Sequence, residues 1–176
     1  MKELNKIKEL FDDFMEEAEL LIENSKQIEL EDHNFRVNSD GWKKITVDGE
    51  EYLENPKKDI WEILNEEARG EQLYTFESMQ RETKKAGKTV PTDEQLTELL
   101  KEKEDMPNLV LAGHRNTNGS FNALSSSAYL WSSSQFSSTS ALSRYLNSSY
   151  STVLRVDSSK TNGFSVRCIK DNNIII

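Results

Sequence analysis

Cys168, His33 and His114 are the side chains best suited to nucleophilic, acid–base or metal chemistry, and the chain holds no other cysteine or histidine. One cysteine cannot close an intramolecular disulfide or supply the paired thiolates of a structural metal site. Two histidines are too few for a histidine-built metal centre. His114 stands between Gly113 and Arg115, a setting that suits a turn or packing residue better than a general base. No Ser/His/Asp constellation is legible from the spacing. A calcium cage needs several carboxylate and amide oxygens around one ion, yet no acidic residue stands between Asp105 and Asp157. Cys168 shares a strand face with Phe164 and Val166 and reads as a buried structural thiol. The expectation is a chain that is not an enzyme, with no metal and no cofactor.

Recognition chemistry is left, and the charge distribution locates it. The 176 residues carry a net charge of −9, which argues against non-specific nucleic-acid binding because phosphates repel such a surface. The charge is uneven. Residues 106–176 hold six basic and two acidic residues, whereas residues 1–105 hold 16 basic and 29 acidic ones. Between Met106 and Val156 the only charges are three arginines. Serine runs at 125–127, 132–134 and 137–138 take the place of charge, with Phe121, Leu124, Tyr129, Leu130, Trp131, Phe136 and Tyr145 threaded among them. A disordered serine linker lacks such large apolar residues, so a folded β surface is expected.

The elements that must carry this surface follow from periodicity. Leu4, Ile7, Phe11, Phe14, Ala18 and Leu21 recur at alternating spacings of 3 and 4, a heptad seam that predicts a helix over residues 1–28. Its width favours docking on the chain's own domain, with oligomerisation through residues 1–28 as the alternative. Residues 29–58 read as a connecting segment with a hairpin turning at Asp48-Gly49. Residues 60–64 fit a strand or a short helix. Helices are predicted after the N-caps Thr75 and Thr92, the latter with Gln95 at capping-box spacing. Strands are predicted at 109–112, 128–133, 140–147 and 163–169, the last with Phe164, Val166 and Cys168 on one face and Ser165 and Arg167 on the other. Helices first and short strands later indicate an α+β domain. The first residues lack a signal-peptide core and no apolar stretch approaches bilayer-spanning length, so a soluble protein is expected.

Three motifs in order carry a family resemblance: Gly87-Lys88-Thr89-Val90-Pro91-Thr92-Asp93-Glu94-Gln95; Leu111-Ala112-Gly113-His114-Arg115-Asn116 through Tyr129-Leu130-Trp131-Ser132-Ser133-Ser134; and Asn162-Gly163-Phe164-Ser165-Val166-Arg167-Cys168-Ile169-Lys170. Over roughly residues 60–171 the chain resembles the C-type-lectin-like fold in its branch related to formylglycine-generating enzyme. Within that branch it resembles the variable proteins of diversity-generating retroelements. The resemblance implies two helices and a small twisted antiparallel sheet in a ligand-binding domain spanning 59–176, with a hypervariable region at about 114–162. It implies that a reverse transcriptase randomises template adenines, so that asparagine-type codons become codons that encode neither Lys, Glu, Gln, Met nor Trp. Residues 107–159 contain no Lys, Glu or Met, and only Gln135 and Trp131 of the other two.

Under that resemblance Trp131, Phe164, Val166 and Cys168 belong to a fixed scaffold, and the variable surface comprises Tyr129, Leu130, Phe136, Leu142, Arg144, Tyr145, Tyr150, Leu154, Arg155 and Asp157. Tyrosine gives rigid contact area and arginine a planar donor fork. Formylglycine chemistry requires a copper-binding cysteine pair, which Cys168 alone does not provide. Calcium-dependent lectins use Glu-Pro-Asn and Trp-Asn-Asp, where this chain has Trp131-Ser132-Ser133. The implied partner is a protein or glycan on a cell or virus surface, with neither nucleic acid nor membrane insertion, and the sequence leaves the location open between a virion, a cell surface and the cytoplasm. The alternative is a static structural or adhesive module of the same fold.

Overall fold

The structure is a computed structural model that describes residues 1–24, 28–31, 35–37 and 41–171, so His33 lies outside the described residues. The chain divides into a small unit around its N-terminal helix and a larger unit, Leu30–Lys170. The helix, α1 (Lys2–Asn24), leaves Leu4, Ile7, Leu10, Phe11 and Phe14 between 62 and 71 % exposed. Among the described residues no helix is long and apolar enough to cross a membrane.

The rest of the chain is mixed α and β. Its strands are β1 (Ile28–Leu30), β2 (Lys43–Val47), β3 (Glu50–Asn55), β4 (Ile60–Ile63), β5 (Gln72–Tyr74), β6 (His114–Arg115), β7 (Phe121–Asn122), β8 (Ser127–Gln135), β9 (Ser140–Asn147), β10 (Leu154–Ser159) and β11 (Ile169–Asp171). Two further helices, α2 (Phe76–Lys85) and α3 (Asp93–Leu99), lie between β5 and β6 in sequence. Strands β2-β3-β4-β5 form one antiparallel meander and β8-β9-β10 another.

The 43–55 hairpin is half of the first sheet rather than a connector. Asp48 and Gly49 both take positive φ, which matches the twist of a two-residue hairpin turn. Tyr52 is buried with Ile63, Leu73 and Ala112 and stacks on Phe121 with ring centroids 3.8 Å apart. The larger unit, Leu30–Lys170, includes this hairpin.

Both predicted caps form. Thr75 Oγ1 accepts from the Ser78 N–H, and Thr92 with Gln95 completes a capping box that opens α3. The expected strand at 109–112 does not form. Positive φ at Asn108 and Gly113 brackets it, and the Ala112 N–H turns back to the Val110 carbonyl instead of pairing with a neighbour. The expected strand at 163–169 is instead a strap between sheets. Phe164 exchanges both backbone hydrogen bonds with Tyr74 of β5, while Ser165 donates to Tyr129 and accepts from Trp131 on β8. Both of its faces are therefore buried, and Arg167 is not outward: it pairs with Glu71 at 2.9 Å, both side chains being 5 % exposed or less.

Trp131, Phe164, Val166 and Cys168 lie at the centre of the core with Ile60, Tyr74, Phe76 and Met79. The Trp131 indole N–H donates to the Tyr74 carbonyl at 2.8 Å, which satisfies its buried polar atom and ties the two sheets together. A second cluster joins Leu96 and Leu100 to Ala128, Leu130 and Leu146.

Candidate ligand-binding face

Register sorts the residues of the second sheet. Tyr129, Tyr145 and Leu154 lie side by side across β8, β9 and β10, and the next row towards the core is Trp131, Ser143 and Val156. The alternate row, Leu130, Arg144 and Arg155, faces the other way, towards α3. One face can therefore present an aromatic row while its reverse is pinned by a helix.

Three residues expected on the surface are inside. Leu130 is 1 % exposed, Leu142 6 % and Arg144 2 %. Leu130 packs on α3 with Leu96 and Leu100. Leu142 shares the strand parity of Arg144 and Leu146, so it is turned from the aromatic row. Arg144 is anchored at Asp93: Nη1 donates to Oδ1 at 2.6 Å, Nη2 to the Asp93 carbonyl at 2.7 Å and to Thr97 Oγ1 at 2.9 Å.

Arg155 is half exposed, but its Nε donates to the other Asp93 oxygen at 2.7 Å. Burial pulls the Asp93 carboxyl up, and the hydrogen bonds from Arg155 and Arg144 outweigh it and hold the group below its usual range. Arg115, the third arginine of the charge-poor tract, lies 4.0 Å over the Trp61 ring. All three charges of that tract are thus engaged by the frame. Their partners, Asp93 and Trp61, lie upstream in sequence and could not be paired with them from composition; the absence of any carboxylate within the tract was the available signal.

Five expected surface residues are exposed: Phe136, Tyr150, Leu154, Arg155 and Asp157. Tyr129 and Tyr145 are half buried. They do not form one patch. Phe136 follows β8 in the turn to β9, whereas Tyr150 sits in the turn from β9 to β10, so the length of β9, about 25 Å at ~3.3 Å per residue, separates the two turns. Asp157 lies opposite Leu142, on the strand parity away from the aromatic row.

What does come together is a row across four strands. The His114 ring meets Tyr129 edge-on at 4.7 Å, Tyr129 stacks on Phe164 at 4.7 Å, and Tyr145 lies 5.0 Å from Tyr129. Leu154 continues the row at 48 % exposure. Asn147 Nδ2 donates to the Tyr145 hydroxyl at 2.7 Å, and His114 Nε2 lies 3.1 Å from Asn116 Oδ1. Burial lowers the His114 pKa despite that bond, and burial followed by the neighbouring Tyr145 raises that of Tyr129. At neutral pH the row is uncharged: ring faces, a methyl-rich edge, and amide and phenol groups. Such a surface can stack on apolar faces and hydrogen-bond at its margins. His114 and Asn116 join this face although their sequence positions suggested only turns and packing, and Asn147 joins it from the end of the strand expected at 140–147.

Gly113 positions His114. An added Cβ would lie 2.1 Å from the Asn122 carbonyl oxygen and 2.8 Å from the Leu124 nitrogen, and its φ is +65°. The loop after β7 thus closes on glycine alone, which sets β6 beside β8.

Residues 54–170 match the family described as the Fibrobacter succinogenes major domain. No curated protein and no solved structure matches the chain. The match spans most of the larger unit, including the whole aromatic row, and the chain belongs to that family.

Proposed function

We propose that this chain is a non-enzymatic, ligand-binding display protein with a C-type-lectin-like domain whose C-terminal surface is diversified by a retroelement. The observation that carries the reading is the uncharged row His114–Tyr129–Tyr145–Leu154, held on strands whose reverse side is locked by α3 and Asp93. Side chains on the outer row can change while the frame stays closed, as in loop-borne binding surfaces. The restricted alphabet of residues 107–159 supports diversification. The ligand is a protein or glycan of a cell or virus surface, recognised by shape, stacking and neutral hydrogen bonds.

Burial supports a narrower set of varying positions than the sequence suggested. Tyr145, Tyr150, Leu154 and Phe136 are the replaceable ones; Leu130, Leu142, Arg144 and Arg155 join Trp131 and Phe164 in the frame. Sequencing sibling copies of the gene tests this. Differences are expected at adenine-containing codons within about 114–162 and concentrated at the exposed positions. Differences scattered evenly along the chain, with no adjoining template repeat, would instead favour a static adhesive module.

A further inference from the structure

The 3.5-residue repeat of α1 matches a partner of its own kind. Leu4, Ile7, Phe11, Phe14 and Ala18 follow the alternating 3–4 spacing that lets two helices keep one seam in register along their length. Four of them are 62–71 % exposed, and Leu10 and Met15 widen the stripe on either side. With Leu4 at the first core position, Glu3 and Lys8 flank the seam so that, in a parallel pair in register, Glu3 of one copy meets Lys8 of the next. Leu10 and Met15 then meet in the same way, apolar against apolar. No like charges face each other across this stretch, and an antiparallel pair loses the Glu3–Lys8 match. A lipid surface is a poor occupant. Residues 1–24 carry three lysines against eight carboxylates, the reverse of the basic polar face that interfacial helices use on anionic membranes.

We propose that α1 assembles copies of this chain into a parallel, in-register helical bundle of at least two chains. Several copies of the larger unit are then carried by one assembly. Any gain in avidity rests on the binding reading above, whereas the association does not.

Light scattering on the full chain tests this without a ligand. The wild type is expected at two or more times its 20.2 kDa chain mass, and Phe11→Asp/Phe14→Asp at the single-chain mass with an unchanged unfolding midpoint for the larger unit. Leu4→Cys, oxidised, reports direction: parallel helices give a covalent dimer, whereas antiparallel ones separate the two sulfurs by about 25 Å at ~1.5 Å per residue. Cys168 is fully buried and does not compete. A wild type of single-chain mass at ~100 μM, an unchanged mass in the double aspartate variant, or failure of Leu4→Cys to cross-link would overturn the proposal. Co-sedimentation of single chains with phosphatidylcholine–phosphatidylserine vesicles, lost in the aspartate variant, would assign the stripe to lipid and overturn it too.

Discussion

Asp93→Asn removes one negative charge from between two arginines while preserving the shape of the side chain. Arg144 is the costly partner: its side chain is 3 % exposed, and the variant leaves its guanidinium buried with the Asp93 carbonyl and Thr97 as neutral acceptors. Breaking a buried pair on one side costs about 3–5 kcal/mol. The retained amide oxygen and carbonyl put this case at the lower end, about 3 kcal/mol. The Arg155 side chain is 54 % exposed, and solvent screening limits its share to about 0–1 kcal/mol. For a unit of this size, the total lowers Tm by roughly 10 °C. Differential scanning calorimetry reads that shift, and double-mutant cycles of Asp93→Asn with Arg144→Met and with Arg155→Ala divide it. The Arg144 coupling should exceed the Arg155 coupling by at least about 1.5 kcal/mol. The pH dependence has a definite sign. The folded Asp93 pKa is depressed, so its contribution is complete above the unfolded value, near ~3.9, and is lost as pH falls through the folded value. The stability gap between wild type and Asp93→Asn therefore holds from pH 7 to about 5 and narrows below about pH 4. A loss under about 1 kcal/mol, or a gap unchanged between pH 6 and 3, would refute the clamp.

Gly113→Ala places a Cβ 2.1 Å from the Asn122 oxygen at φ +65°, so a loss of more than about 3 kcal/mol or an insoluble product is expected; an unchanged melting curve would show that the loop yields. The Cys168 thiol is pushed up to about 12, chiefly by burial and then by Glu31, so iodoacetamide at pH 8 should modify it only as fast as the domain opens. Rapid labelling of the native protein would place that thiol at the surface. Because burial lowers the His114 pKa, acid protonates the unfolded state first, and stability should fall as pH drops below about 6.5. Imidazole resonances titrating above that value would contradict the packing of His114 on Tyr129.

The local chemistry of the frame was readable in advance and its long-range pairing was not. Thr75, Thr92 and Gln95 act within three residues of themselves, so spacing alone specifies those caps. Strand β9 follows from its pattern to the residue. Strand β10, by contrast, presents Leu-Arg-Val-Asp-Ser-Ser, and its pairing is set by β9 rather than by its own alternation. Residues 163–169 do alternate, but a strap between two sheets buries both faces, which places Arg167 inside against a glutamate 96 positions away. The same blindness to distant partners put Arg144 on the expected surface, since nothing near it in sequence shows that Asp93 receives it. On the candidate face, Tyr129 and Tyr145 were legible as aromatics on strands, and Asn147 reaches Tyr145 from two residues on along β9, whereas His114 joins them only through the placement of β6 beside β8.

Replacing Phe136, Tyr145, Tyr150 and Leu154 together by serine, and measuring thermal unfolding beside Leu130→Ala, asks most directly whether the replaceable positions are independent of the frame. Substitutions at the three exposed positions cost about 0.5 kcal/mol or less each, and half-buried Tyr145 adds about 1 kcal/mol for its contact with Tyr129, so the fourfold variant should lose under about 2.5 kcal/mol and unfold cooperatively. Leu130→Ala alone should lose about 2–5 kcal/mol. A fourfold variant less stable than Leu130→Ala, or one without a cooperative transition, would mean that these four side chains hold the domain together and are not free to change.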